Sequence, residues 1–186
     1  MTEKLLSKNS LHNLRQSNRE SRYLSKESLE IALLALLERK SLAQITISEL
    51  VLKAGVSRNA FYRNYHSKEA IIEGRLNTIL RRIFHGLKHF DLSTEPRQAW
   101  VYLLTEAKKE EQLLRIVFNH QLHVLLTKRV IKRLRAYHKW KKQRTNHYSH
   151  LFWSHAIISV LSSWIKDGMT VSIEDMAAMD LPLLSH

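Results

Sequence analysis

Apolar residues along this chain recur with the period of a helix rather than that of a strand. Leu29, Ala32, Leu33, Leu36 and Leu37 stand at i, i+3, i+4, i+7 and i+8, and Ser25 is a good N-cap, so the spacing predicts a helix from Ser25 to about Leu42. Thr46 and Glu49 have the S/T-x-x-E spacing of a capping box, which starts a second helix at about Ile47. It is brief, because Ala54-Gly55-Val56-Ser57 interrupts it: Gly55 supplies a tight or left-handed turn, and Ser57 can cap a third helix from Arg58 to about Tyr65. Ser67 caps a fourth, carrying Ile71, Ile72, Leu76, Ile79, Leu80 and Ile83. Phe90 to Glu95 reads as a loop, with Ser93 or Thr94 before Pro96 as the next helix start. Two more apolar sets follow, Trp100 to Val117 and Leu122 to Tyr137. A late helix is expected from about Tyr148 to Asp167, stopped by Gly168, and Ser172 with Asp175 starts a last short one. No segment alternates with period two for long. The expected fold class is all-α.

Residues 46–66 follow the plan of a helix, a tight glycine turn and a second helix of about two turns, which is that of a helix-turn-helix. Leu50, Ala54, Val56 and Phe61 can form the small core between the two helices. Arg58, Asn59, Ala60, Arg63 and Asn64 are then expected to face outward, and they suit a major groove. Arg pairs with guanine in bidentate fashion, Asn pairs with adenine, and Ala touches a thymine methyl. Tyr62 and Lys68 would flank the helix as phosphate anchors, which position a protein without reading sequence. The bland alternative is a glycine-turned helical pair with no ligand.

The run Thr46-Ile47-Ser48-Glu49-Leu50, then Ala54-Gly55-Val56-Ser57, Phe61-Tyr62, Tyr65 and Ser67-Lys68-Glu69-Ala70, resembles the TetR (tetracycline-repressor) family of bacterial regulators over residues 25–72. The resemblance implies a three-helix DNA-binding domain at residues 25–72 and a helical effector-binding and dimerisation domain at 73–186, preceded by a basic arm at 1–24. It further implies a homodimer on a palindromic double-stranded operator, most simply a repressor released by a small-molecule or protein effector. Carried over by position, Ser48, Arg58, Asn59, Ala60 and Asn64 would touch bases or nearby backbone, joined by Arg63 on the same outward face. Thr46, Ser57, Tyr62 and Lys68 would lie along phosphates. Val51 and Tyr65 depart from the usual Ala and Phe, and both are expected to face the core.

Charge agrees with a polyanionic partner. Across 186 residues, 30 Lys and Arg against 17 Asp and Glu leave +13, and the hydrophobic share of 44% is that of a globular chain. With no cysteine there is no disulfide framework, thiolate zinc site or cysteine nucleophile. The longest purely apolar run is Ile31 to Leu37, far short of a bilayer span, and Met1 to Tyr23 has no apolar signal core. A soluble, cytoplasmic protein is expected, without membrane partners. The arm carries Lys4, Lys8, Arg15, Arg19 and Arg22 against Glu3 and Glu20, and its Asn and Ser residues weaken helix. It reads either as a solvated tail or as an arm following a DNA backbone.

The remaining segments say less. The late helix is apolar on more than one face, which suits either an interior helix or one packed on its own copy, with Ile157, Val160, Leu161, Trp164 and Met176 as the candidate dimer interface. Trp100, Leu104, Phe118, Leu122, Tyr137, Phe152 and Trp153 are either plain core or the lining of an effector pocket. Residues 127–144 hold nine basic side chains and no acidic one on an amphipathic helix. This is a solvated face, an anion or partner site, an auxiliary DNA contact or a membrane surface. The competing functional class is accordingly a non-DNA interaction module whose basic helix binds an acidic protein or membrane. The pairs His120/His123, His147/His150 and His85/His89 have metal-compatible spacing, but no H-E-x-x-H or cysteine accompanies them, so no metal or cofactor is expected. The chain has no G-x-S-x-G, P-loop or G-x-G-x-x-G, and an enzyme is not expected.

Overall fold

The computed structural model describes residues 8–92, 94–142, 144–179 and 181–182. Residues 1–7, with Glu3 and Lys4 of the arm, and the candidate cap Ser93 lie outside the described residues. Among the described residues the regular elements are helical: α1 (Lys8–Leu37), α2 (Ile47–Ala54), α3 (Arg58–Asn64), α4 (Lys68–Gly86), α5 (Pro96–Lys108), α6 (Glu111–Asn119), α7 (His123–Lys141), α8 (His147–Lys166) and α9 (Ile173–Ala177), plus 3-10 turns at Leu42–Gln44 and Leu87–His89. The all-α expectation holds. The chain divides into two compact units, Met1–Ile72 and Glu73–His186.

In the first unit the predicted helix boundaries need correcting. α1 starts at Lys8, so the described part of the arm is helical, and Ser25 lies inside the helix with its hydroxyl donating to the Ser21 carbonyl at 2.7 Å. The physical reason is the absence of Gly and Pro between residues 8 and 37. Each Asn or Ser costs only some tenths of a kcal/mol, and a helix nucleated by the packed half propagates outward. That packed half is the predicted stripe: Leu29, Leu33 and Leu37 are fully buried with Ile45, Leu50 and Phe61. α1 stops at Leu37 rather than near Leu42, and Leu42 begins the 3-10 turn instead. There Gln44 Oε1 accepts from the Ser41 amide at 3.0 Å.

In the second unit Pro96 opens α5 behind Glu95, not Thr94. Asn146 caps α8 through the Ser149 amide at 2.9 Å, so α8 begins at His147, and Gly168 at φ 73° follows its end. Ser172 accepts from the Asp175 amide at 3.0 Å to start α9. The interior includes Leu76, Leu104, Leu113 and Leu134. Arg82 of α4 ties to α5 and the turn after it, donating from Nε to Glu106 at 2.7 Å and from Nη2 to Glu110 at 2.9 Å. Lys109 also bonds Glu106, and these two cations hold the buried Glu106 carboxyl below the usual carboxylate range.

Candidate nucleic-acid interface

The turn between α2 and α3 is built as the residues require. Thr46 Oγ1 accepts from the Glu49 amide at 3.1 Å at the start of α2. Gly55 adopts φ 66°, ψ 29°, the left-handed conformation that a Cβ disfavours, and its amide returns to carbonyls of α2. Ser57 Oγ then accepts from the Ala60 amide at 3.0 Å and starts α3. Only half of the predicted capping box forms. The Glu49 carboxylate turns away to Lys40 at 2.5 Å, and that bond keeps its pKa below the ordinary value.

Several expected contact residues form one open polar face. Ser48, Arg58, Asn59, Tyr62, Arg63, Thr46 and Ser57 are exposed, and the Arg58 guanidinium donates to the Ser48 hydroxyl at 2.5 Å. Tyr62 stands edge-on against the buried Phe61 ring with 5.1 Å between centroids, and its side chain is otherwise exposed. Three expected residues are placed otherwise. Ala60 is buried beside Phe61. Asn64 is half-buried and donates back to the Ala60 carbonyl at 2.9 Å. A short polar side chain at the end of a helix finds its own i−4 carbonyl first.

Lys68 is the third. Its half-buried ammonium donates to the Leu42 carbonyl at 2.6 Å and to the Ile45 carbonyl, closing the loop ahead of α2. Two of its three protons are thereby taken inside the fold. The contact that sequence reasoning missed is that of Arg22, named there only as part of the arm, whose guanidinium reaches the Arg63 carbonyl at the end of α3 (3.4 Å). Only the extension of α1 brings it there, and the expected start at Ser25 concealed it. Val51 and Tyr65 are buried as expected, and the Tyr65 hydroxyl donates to Glu30 at 2.7 Å.

The expected effector set does not assemble. A cavity of about 60 Å³ lies in the second unit among α4, α5, α6, α7 and α8, walled by Leu76, Leu80, Ile83, Leu103, Leu134 and Ile158 with others like them. Of the seven residues expected there, only Tyr137 lines it. Trp100, Leu104, Phe118 and Trp153 are buried elsewhere in the unit, Leu122 is half-buried, and Phe152 is 64% exposed. The α4 stripe is visible in the sequence, but largely apolar cavity walls and solid core have the same composition.

The residues expected at a dimer interface fall in different settings. Trp164, Leu161 and Met176 are buried within the unit, Trp164 Nε1 donating to the Val171 carbonyl at 2.9 Å, and Ile157 and Leu161 line the cavity. Val160 is half-exposed. The face of α8 that remains open carries Tyr148, Phe152, His155, Ser159 and Ser163. On α7, the apolar edge Leu126, Val130, Leu134 and Tyr137 is buried, while Lys128, Lys132, Arg135 and Lys139 are exposed. Among the described residues no group of three His, Asp or Glu side chains is placed to hold a metal ion, and no helix is long and apolar enough to cross a membrane.

A glycine-turned helix pair with an open polar face, joined in one chain to a second helical unit, is the plan of a helix-turn-helix regulator. Residues 32–74 match the model of bacterial regulatory proteins of the tetR family, and residues 98–184 match a model of a transcriptional regulator C-terminal region. The chain belongs to the TetR family of transcriptional regulators. It is 35% identical over 85 residues to the HTH-type transcriptional regulator EthR of Mycolicibacterium smegmatis, a match covering 44% of this chain and 38% of that one. The chain thus aligns with well under half the length of that curated relative. Its fold is similar to the crystal structure of Lin0861 from Listeria innocua, with a TM-score of 0.74 at 16% identity over 84% of this chain and 87% of that one. It is also similar to the fatty acid degradation regulator FadR from Bacillus halodurans, with a TM-score of 0.57 at 12% identity over 83% and 91%.

Proposed function

We propose that this protein is a sequence-specific DNA-binding regulator, acting as a homodimeric repressor on a palindromic operator and released by an effector. The observation that carries the reading is the exposed tip formed by Ser48 and Arg58 beside Asn59, Tyr62 and Arg63. Arg58 and Asn59 supply the donors and acceptors that discriminate base edges, and Tyr62 with the Thr46 and Ser57 hydroxyls supplies partners for phosphates. One short helix reads few base pairs. Two copies about 34 Å apart read two half-sites one turn apart, which is the reason for a dimer. The open face of α8, with Tyr148 77% and Phe152 64% exposed and Ser159 and Ser163 allowing close approach, suits the second copy. The cavity favours an apolar effector, since Tyr137 is the one lining residue with a polar side-chain group. Binding there would release DNA by favouring dimers whose recognition helices no longer match the groove spacing.

The test is selection of a duplex from a random 30-base-pair pool, followed by fluorescence anisotropy of the full chain at physiological salt. The expected result is at least 10³-fold preference over a scrambled duplex. Equal affinity for both would sink the regulator reading and favour an interaction module working through its basic surface.

A further inference from the structure

In the exposed N-terminal part of α1, Arg15, Arg19, Arg22 and Lys26 stand at i, i+4, i+7 and i+11, and all four are exposed. At 3.6 residues per turn they fall within an arc of about 60°. Glu20 and Glu27 lie about 110–130° from the midline of that arc, while Glu30, about 50° from it beyond Lys26, accepts from the Tyr65 hydroxyl. Gln16 donates to Glu20 at 3.1 Å on that other side. Around Arg15, Arg19 and Arg22 charge is therefore sorted by face: cations on one, the Glu20 and Glu27 carboxylates on another. A solvated helix has no need of such sorting, because cations and carboxylates four residues apart would stabilise it. Among the described residues no carboxylate pairs with Arg15, Arg19, Arg22 or Lys26.

The stripe is also aimed. Arg22 reaches the Arg63 carbonyl at the C-terminal end of α3, and Lys26 lies 5.7 Å from the Tyr65 ring centroid just beyond it. The cations thus continue outward from the end of the helix proposed to enter the major groove. From Arg15 to Lys26 the stripe runs about 16 Å at 1.5 Å per residue, long enough to follow several phosphates of one strand. We propose that the Arg15–Arg19–Arg22 face of α1 is a second, sequence-independent DNA contact that tracks the phosphate backbone beside the site read by α3. This rests on the DNA-binding reading above and adds to it a surface outside the helix-turn-helix.

Neutralised phosphates release counterions, so each contact contributes about 0.9 to the slope of log K against log salt. The experiment measures that slope for the full chain on its selected duplex and on a scrambled one, comparing wild type with Arg15→Gln/Arg19→Gln/Arg22→Gln. Gln keeps helix propensity, and circular dichroism checks that helix content is retained. The expected result is a slope shallower by at least about 2, at least tenfold weaker binding to both duplexes, and an unchanged ratio between them. Arg15→Gln/Arg19→Gln leaves the Arg63 contact in place and is expected to shift the slope in the same direction. Lys139→Gln/Lys141→Gln/Lys142→Gln removes equal charge on α7 and is expected to leave the slope unaltered. If wild type discriminates its duplex but the arginine variants keep the wild-type slope, this proposal falls and the regulator reading stands. Equal flattening by the α7 variant also overturns it, by making the effect one of net charge. Absence of any discrimination by wild type overturns both.

Discussion

Arg58, the first residue of α3, is bound across the turn to Ser48 of α2: its guanidinium donates to the Ser48 hydroxyl at 2.5 Å. The two side chains therefore meet a ligand as one unit, with the orientation of the arginine restrained before contact. Restraint of this kind reduces the conformational entropy that a long side chain loses on binding. Arg58→Ala is expected to weaken operator binding by about 1–3 kcal/mol and to relax preference at one base position. Ser48→Ala frees the arginine and should cost less. Because the residues act together, the double variant should cost less than the sum of the singles, by about 0.5 kcal/mol or more. Anisotropy titrations of the four proteins measure this, and strict additivity would mean that the bond is not carried into the complex.

Lys68 and Tyr62 separate stability from DNA contact. The Lys68 ammonium serves the Leu42 and Ile45 carbonyls, so Lys68→Met removes a donor from each, leaving Leu42 only its longer bond from the Ile45 amide, and is expected to destabilise the chain by about 1–3 kcal/mol. Its salt dependence of DNA binding should stay that of wild type. Tyr62 is 59% exposed, and Tyr62→Phe removes only the hydroxyl. That variant should keep its melting temperature and lose affinity equally for selected and scrambled duplexes. Thermal melts and salt titrations on both variants check the pair, and a flattened slope for Lys68→Met would return that residue to the DNA surface.

Two glycines are required for opposite reasons. Around Gly55 nothing lies within 4 Å of an added Cβ, but its φ is 66°. Gly55→Ala is therefore expected to cost about 1–2 kcal/mol through the backbone alone. At Gly86 the backbone is ordinary, and the obstacle is Tyr102, whose Oη would lie 2.0 Å from the new Cβ. Gly86→Ala should cost about 1–3 kcal/mol by overpacking, and Tyr102→Ala in the same chain should recover part of that loss. Chemical denaturation of the three variants tests the distinction, since no second substitution relieves Gly55→Ala.

What was legible in the sequence followed from short-range rules. The α2–turn–α3 boundaries were fixed by Thr46, Gly55 and Ser57, each of which acts on backbone within three residues of itself. The start of α1 was not legible, because Ser25 is as good a cap by type as Ser57. What distinguishes them is whether the preceding residues can continue the helix, which those before Ser25 do. The burial of Ala60 and half-burial of Lys68 are not legible either, because chain position gives the side of a helix, while burial depends on what packs there. The effector cavity and the dimer face turn on the same long-range information. Leu134, Leu161 and Trp164 are all apolar residues at helical spacing, yet two line a cavity and the third is buried with its indole nitrogen bonded to Val171.

His150 of α8 gives the second unit a pH dependence whose sign can be derived. Its Nε2 lies 3.1 Å from His138 Nδ1 and 3.2 Å from Thr145 Oγ1, while its buried Nδ1 has no partner among the described residues. Burial, then the nearby charges of Arg135 and His147, push its pKa below the ordinary 6.5. The unfolded chain therefore binds the proton more readily than the folded one, and stability falls as pH drops below about 6.5. Glu49 and Glu106, whose pKa values are lowered, lose their contribution only further down, as pH falls through the carboxylate range. Between pH 7.5 and 5.5 the histidine effect stands apart from theirs. Melting temperatures of wild type and His150→Gln across that interval are expected to differ in slope, wild type losing more on acidification. Parallel curves would mean that the imidazole is protonated as easily in the folded chain as in the unfolded one.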